Sequence, residues 1–130
     1  MLGKRKIRKN VFNLLFGYSF NKDESAEEYY NNAFDNFCCE DDEGDNVRNT
    51  FLSVCETVEI LDEIISKHLQ DWKITRLSKT TIAILRLSVY EMKYAKLPPA
   101  ISINEAVELA KKFGGDDAPA FVNGILAKLV

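Results

Sequence analysis

The chain contains few of the residue types from which catalytic and metal centres are built. Its 130 residues include one histidine, one tryptophan and three cysteines. Cys38 and Cys39 are adjacent and Cys55 is distant, so the sequence has neither a disulfide framework nor zinc-ligand spacing. His68 has no serine, cysteine or aspartate arranged beside it for nucleophilic chemistry, which favours a role at a helix end or on the surface. We therefore expect no enzymatic activity, no metal and no cofactor.

Long apolar runs and strand patterns are also missing. No run approaches the roughly 18 apolar residues that a membrane span requires, and the basic start leads into an amphipathic pattern without a cleavage site. These features predict a soluble cytoplasmic protein that has no membrane partner. Helical periodicity extends through the whole chain, and this length is sufficient for one core. The sequence therefore predicts an all-α fold in a single domain over residues 1–130.

Charge is distributed unevenly, although the net charge is only −3. Residues 1–22 contain six basic and no acidic residues, whereas residues 23–45 contain ten acidic and no basic residues. Because exposed charges act over a Debye length of about 8 to 10 Å, the basic start can bind phosphate even on an acidic protein. The acidic stretch lacks the alternating ligands of a calcium loop, which favours a solvated helix face and loop.

Three amphipathic helices are predicted in the first part of the chain. The first spans roughly Lys4–Tyr18, and the second begins with a capping box from Ser25 to Glu28. The third is predicted to run through Val47–Ile65, because its apolar residues follow one another at steps of three and four.

The first predicted helix places basic residues beside aromatic ones. Arg5, Arg8 and Lys9 lie on the side opposite the main apolar stripe, with Phe12 and Phe16 between or beside them. Cations that meet phosphates and rings that stack on unpaired bases are typical of nucleic-acid binding. The alternative is that the two phenylalanines pack against a neighbouring helix, and the pattern alone leaves both readings open.

A nearly apolar helix is predicted after Ser78, which suits an N-cap, and we expect it to be the most buried. Arg86 and Glu91 within it need partners, because an isolated buried charge loses its hydration. Glu105 is a candidate to neutralise Arg86 and to complete a capping box begun by Ser102. These charges predict a structural polar network. A catalytic pair of carboxylates is the alternative, and nothing else in the sequence supplies its cleft.

The last predicted helix begins after a glycine and two aspartates. Gly114 occupies a position where a left-handed C-cap is common, and Asp116 or Asp117 is predicted to cap the final helix, with Pro119 in its first turn. Gly124 lies in the middle of that helix. Because a central glycine destabilises a helix by about 1 kcal/mol relative to alanine, we expect a close helix approach there.

Four sequence motifs follow one another over about 50 residues: ILRLSVYE, the turn at Pro98 and Pro99, INEAVELAKKFG and FVNG. Together they resemble the NusB family of bacterial transcription antitermination factors. The resemblance is strongest over residues 72–129 and weaker over residues 5–69. It implies about seven helices in two three-helix halves, at about 1–69 and 70–130.

The resemblance also implies a function. Family members bind the single-stranded boxA element of nascent RNA jointly with NusE, a small-subunit ribosomal protein, within the RNA polymerase antitermination complex, and so support ribosomal RNA transcription. A core position for Phe121 is the alternative to its place on the RNA surface. The residues that the resemblance assigns to RNA are Lys4, Arg5, Lys6, Arg8, Lys9, Asp117 and Phe121.

Two rival functions belong to other classes. The chain is a protein adaptor or homodimer if its basic face docks only a partner, and weak salt dependence of RNA binding would favour that reading. NusB-like domains also occur fused to RNA cytosine methyltransferases, but we expect no such role because the sequence lacks a cofactor-binding fold.

Overall fold

The computed structural model describes residues 3–21, 23–33, 41–69 and 74–130. These residues form seven α-helices and one 3₁₀ turn and contain no strand, so the all-α prediction is confirmed. Cys38 and Cys39 lie outside the described residues. The helices are α1 Gly3–Tyr18, α2 Ala26–Ala33, α3 Asp41–Glu56, α4 Val58–Ser66, α5 Lys79–Lys93, α6 Pro99–Phe113 and α7 Ala118–Ala127, and the 3₁₀ turn is Ile74–Arg76.

The chain divides into two compact units, Met1–Glu56 and Thr57–Val130. The first unit contains α1, α2 and α3, which contact one another. The second contains α4 to α7, in which α5 contacts α4, α6 and α7. The assignment of residues 1–130 to a single domain, with halves at about 1–69 and 70–130, stays a prediction.

The core of the first unit is built around Phe51, which is fully buried on α3. The rings of Tyr18, Tyr29 and Tyr30 lie with their centroids 5.8, 6.2 and 6.3 Å from that of Phe51. Aromatic pairs at such separations add attraction beyond the burial of apolar area. Gly17 makes this packing possible, because an added Cβ would collide with the Tyr29 hydroxyl.

The core of the second unit is aliphatic and is centred on α5. Seven residues of α5 are buried, which confirms the prediction that this helix is the most enclosed. Ser78 caps it as predicted: its hydroxyl oxygen accepts a hydrogen bond from the Thr81 amide at 3.1 Å. The buried aliphatic residues that surround α5 include Leu61, Ile65, Leu109, Val122 and Leu126.

The predicted third helix is interrupted. The sequence places Val47–Ile65 in one helix, but α3 ends at Glu56 and α4 begins at Val58. Thr57 between them has φ −104° and ψ 9°, outside the helical well, and its carbonyl accepts the first hydrogen bond of α4 from Leu61. Consecutive β-branched residues lower helix propensity at this point, whereas apolar spacing alone does not reveal such a break.

The predicted capping box at Ser102 and Glu105 is wrong. Helix α6 begins at Pro99, so Ser102 lies inside it and is fully buried. Proline fixes φ near the helical value and has no amide hydrogen to leave unpaired, which favours it in the first turn, and the N-cap lies at Pro98, four residues before Ser102. At Ser25 the serine half of the predicted box is confirmed, since its Oγ accepts from the Glu28 amide at 3.1 Å. The return contact of the Glu28 carboxylate is to the Ser25 hydroxyl, which donates to Oε1 at 3.0 Å.

Two predictions about glycine are also wrong. Gly114 ends α6 with φ −92° and ψ 177°, an extended and not a left-handed conformation. Gly124 is exposed, and a Cβ there would meet nothing within 4 Å. The close approach occurs instead at Gly114, where a Cβ would lie 2.6 Å from the Ala118 Cβ and 2.9 Å from the Ala110 carbonyl oxygen.

Candidate nucleic-acid interface

The predicted basic cluster, Lys4, Arg5, Lys6, Arg8 and Lys9, lies in the first two turns of α1. Arg5, Lys6 and Lys9 are exposed and Arg8 is half-buried, while the Lys4 side chain lies outside the described ones. The helix contains no acidic residue, so no negative side chain of α1 offsets these cations. This arrangement places a local positive potential at one end of the first unit.

Three phenylalanines follow the basic cluster, two of them on α1 and one just beyond its end. We call them the aromatic ladder: Phe12, Phe16 and Phe20. The rings of Phe12 and Phe16 are stacked at 6.2 Å, and those of Phe16 and Phe20 meet edge to face at 5.1 Å. Phe12 is 2% exposed, so the reading in which it packs in the core is confirmed. Phe16 is half-buried and Phe20 is 60% exposed. Sequence reasoning missed Phe20, because it lies beyond the end of the helical pattern.

The other two predicted RNA-binding residues belong to the second unit. Asp117 is the exposed N-cap residue of α7, as the sequence predicts, although its side chain makes no capping hydrogen bond. Its backbone carbonyl accepts from the Phe121 amide at 3.1 Å. Phe121 is half-buried, in contrast to the fully buried Val122 beside it. Part of the Phe121 ring is therefore open to solvent.

The predicted polar network has a different composition in the structure. Arg86 pairs with Asp62 of α4, with Nε to Oδ1 and Nη2 to Oδ2 distances of 2.7 Å each. This two-pronged geometry satisfies the planar guanidinium and neutralises it where it is only a quarter exposed. Asp62 was not predicted, since it lies 24 residues away from Arg86 and belongs to no local pattern. Glu105, predicted to neutralise Arg86, is half-buried on α6 and has interactions of its own.

Glu91 takes part in a second set of hydrogen bonds between α5 and α6. The Ser102 hydroxyl lies 3.3 Å from Glu91 Oε1 and 2.7 Å from the Ser88 hydroxyl. Ser88 and Ser102 are 1% and 0% exposed, so the pair satisfies polar atoms that would otherwise be buried without partners. These contacts join α5 and α6 and give Glu91 a structural role.

Three further observations concern the histidine, metal-ligating groups and membrane spans. His68 Nδ1 lies 2.9 Å from the Ile64 carbonyl oxygen just beyond α4, the helix-end position that the sequence predicts. Across residues 3–21, 23–33, 41–69 and 74–130, no three metal-ligating side chains form a group. Among the same residues, no helix combines the length and the apolar character that crossing a membrane requires.

Comparison with known proteins identifies the family to which these features belong. A model of the NusB family matches residues 5–130. The chain belongs to the NusB family. The transcription antitermination protein NusB of Agathobacter rectalis is 43% identical over 129 residues, which cover 96% of this chain and 97% of that protein. The predicted NusB resemblance is therefore confirmed, and so is the prediction that the protein is not an enzyme.

Two solved structures of NusB proteins share the fold. The T. maritima NusB structure has a TM-score of 0.88 at 32% identity and covers 96% of this chain and 88% of its own. A structure of the antitermination factors NusB and NusE in complex with dsRNA has a TM-score of 0.86 at 26% identity. That match covers 99% of this chain and 96% of the NusB-family chain in the complex.

Proposed function

We propose that the protein is a transcription antitermination factor of the cytoplasm that binds single-stranded boxA RNA jointly with NusE and so supports ribosomal RNA transcription. The basic cluster on α1 is the observation that carries the proposal, because it concentrates cations on a helix without acids. Relatives named as antitermination proteins, and a related NusB bound to NusE and dsRNA, support it. The RNA polymerase antitermination complex is the setting in which we expect it to act.

The basic cluster is suited to the phosphate backbone. Its exposed side chains can each neutralise a phosphate and release a condensed counterion, which makes binding favourable and dependent on salt. Only two of its members are arginines, so fewer contacts have the two-pronged geometry that arginine makes with phosphate. We therefore expect modest affinity for RNA alone and tighter binding when NusE adds a second surface.

The first turn of α7 contributes the remaining proposed contacts, Asp117 and Phe121. The positive end of the helix dipole favours an anion near Asp117, and the exposed part of the Phe121 ring can stack on a base. The Asp117 carboxylate itself repels phosphate. The complete set of proposed RNA-binding residues is Lys4, Arg5, Lys6, Arg8, Lys9, Asp117 and Phe121.

The direct experiment titrates a fluorescent boxA RNA with the protein at several salt concentrations, with and without purified NusE. About three to five phosphate contacts give a slope of log affinity on log salt of roughly −2 to −4. We expect NusE to tighten binding. Absence of RNA binding even with NusE present would contradict the proposal, and binding of NusE alone would favour a protein adaptor.

A charge-reversal variant tests the basic cluster itself. Changing Arg5, Arg8 and Lys9 to Glu should lower RNA affinity at least tenfold. The unfolding free energy should change by only about 1 to 2 kcal/mol, because the charges of Arg5 and Lys9 are exposed and screened and only Arg8 is half-buried. The matched control reverses three exposed lysines of the second unit, Lys67, Lys79 and Lys111. An equal loss in the control would mean that net charge, and not this cluster, governs binding.

A further inference from the structure

The basic cluster and the aromatic ladder lie on one continuous band of α1. Arg8, Phe12 and Phe16 follow one another at steps of four residues, and each step rotates the side chain by only about 40° around the helix. Arg5 and Lys9 fall within the same band. Cations therefore occupy the amino-terminal part of this band and rings the carboxyl-terminal part.

Phe20 extends the band just beyond α1. The Ser19 amide donates to the Leu15 carbonyl at 3.1 Å, and the Phe20 amide donates to the Gly17 carbonyl at 3.2 Å, so the chain continues to coil after Tyr18. Phe20 consequently follows Phe16 by nearly the same step, and its ring meets Phe16 edge to face. The backbone hydrogen bonds hold Phe20 in this turn, and the edge-to-face contact with Phe16 supports its ring.

The ladder passes from the core to solvent. Exposure rises from 2% at Phe12, through a half-buried Phe16, to 60% at Phe20. A phenyl ring held by a half-buried partner loses little conformational freedom when a ligand covers it, which favours binding. Cations followed along the same band by an exposed ring suit single-stranded nucleic acid, with phosphates at the charges and a base on the ring.

We propose that Phe20, supported by Phe16, is a base-stacking residue for the same single-stranded RNA that the basic cluster binds, an inference that rests on the proposed function. About 18 Å of helix separates Arg8 from Phe20, so the RNA crosses this band over more than one nucleotide. The backbone is held at the cations, and an unpaired base lies on the Phe20 ring. Because every base has a π-face, this contact adds affinity with little dependence on sequence.

The charge of the band favours RNA, and not an apolar protein partner, as the ligand that covers the Phe20 ring. Other large apolar side chains are exposed in the second unit, among them the aliphatic Ile60 at 46% and Ile101 at 51%. Two rings of that unit, Tyr94 at 39% and Phe113 at 37%, are also exposed, but less so than Phe20 at 60%, and each lies under a neighbouring lysine. Phe20 instead terminates a band that begins with three cations. The band as a whole therefore complements a ligand that is anionic at one end and aromatic at the other.

The experiment compares Phe20→Ala, Phe20→Leu and Phe20→Tyr with the wild-type full chain in salt titrations of a boxA RNA, with Ile60→Ala as the control. We expect Phe20→Ala to weaken binding by roughly 5- to 100-fold at every salt concentration without changing the salt slope. Phe20→Leu should lose most of the same affinity, Phe20→Tyr should retain it within about twofold, and Ile60→Ala should have no effect. Arg8→Ala, by contrast, should flatten the slope by about 1.

A fluorescent base identifies the contact directly. When 2-aminopurine replaces each RNA base in turn, we expect one position at which stacking quenches its emission with the wild type and not with Phe20→Ala. If the wild type binds RNA and Phe20→Ala binds it with the same affinity and the same quenching, this inference is overturned while the proposed function stands. Loss of NusE binding without loss of RNA binding would also overturn it and would assign the ring to a protein partner. A wild-type chain that binds no RNA would overturn the proposed function as well.

Discussion

The helices of the two units pack through different kinds of side chain. In the first unit, tyrosine rings from α1 and α2 surround Phe51, and a glycine admits the Tyr29 hydroxyl. The second unit has an aliphatic core in which α5 and α6 are joined by buried serines. Large interlocking rings hold one set of helices, whereas small residues and directed hydrogen bonds hold the other.

The same comparison separates packing from function. The resemblance predicted to be strongest over residues 72–129 consists largely of apolar positions, helix starts and buried polar groups of the second unit, although that segment also contains Asp117 and Phe121. The basic cluster and the aromatic ladder lie in the first unit, where we expect a weaker resemblance. The segments that carry the resemblance therefore report mainly on helix packing, and the candidate ligand surface of α1 has to be sought from charge and exposure.

The largest effect is expected from the ring that organises the first unit. Phe51→Ala removes a side chain that is fully buried and contacted by three tyrosines, which should lower the unfolding free energy by about 3 to 5 kcal/mol. Phe20→Ala is the matched control, since it truncates an exposed phenylalanine of the same unit. Denaturant unfolding of both variants measures the difference. Equal stabilities would mean that the ring cluster does not hold the first unit together.

Glycine substitutions compare the close contacts of the two units. Gly114→Ala places a methyl group against the Ala110 carbonyl and the Ala118 methyl and should destabilise the second unit by about 1 to 3 kcal/mol. Gly17→Ala meets a tyrosine hydroxyl that can shift, so its effect should be smaller. Gly124→Ala meets nothing within 4 Å and should stabilise α7 by about 0.5 to 1 kcal/mol. Thermal melts that placed these variants in another order would contradict the geometry.

The ion pair between α4 and α5 should have an intermediate effect. Arg86→Lys keeps the charge but loses the paired hydrogen bonds to Asp62, and we expect a loss of about 1 to 2 kcal/mol for a pair that is a quarter exposed. Asp62→Asn should cost a similar amount. A double-mutant cycle measures the coupling between the two side chains. Additive effects would show that the two-pronged contact does not contribute to stability.

Alkaline pH should weaken the first unit selectively and by the smallest amount. Burial raises the pKa of the Tyr29 phenol above its ordinary value near 10, and the nearby Glu24 carboxylate adds to the shift. Burial likewise raises the pKa of Tyr18. Because the unfolded phenols ionise first, their contribution is complete below about pH 10 and is lost as pH rises through the folded pKa. Melts between pH 8 and pH 11 should show a shallower decline for Tyr29→Phe than for the wild type.

Local signals account for the parts of the fold that were predicted correctly. The serine caps at Ser25 and Ser78, the all-helical architecture and the buried α5 all follow from spacing within a few residues. The helix break at Thr57 and the early start of α6 at Pro99 were missed, because apolar periodicity and a second possible capping box pointed elsewhere. Backbone conformation at Gly114 depends on how closely the next helix approaches, which sequence spacing does not encode.

The candidate site was predictable in its charges and less so in its contacts. The basic cluster and the N-cap position of Asp117 are readable from residue types. The Asp62 partner of Arg86 is distant in the chain, and its identity depends on how α4 packs against α5. Phe20 lies past the helical repeat, so its support by Phe16 appears only when the turn after α1 is known.

The serine pair between α5 and α6 has more hydrogen-bond acceptors than hydroxyl donors. Ser88 and Ser102 supply two hydroxyl hydrogens, while the Ser102 carbonyl, the Ser88 carbonyl and Glu91 Oε1 offer three fixed acceptors. If either serine becomes alanine, the backbone carbonyl at that position remains, and the surviving hydroxyl still has an acceptor. The contact between α5 and α6 can therefore lose one serine hydroxyl while the other keeps a hydrogen-bond acceptor. Only replacement of both serines would remove the side-chain hydrogen bonds at these two positions.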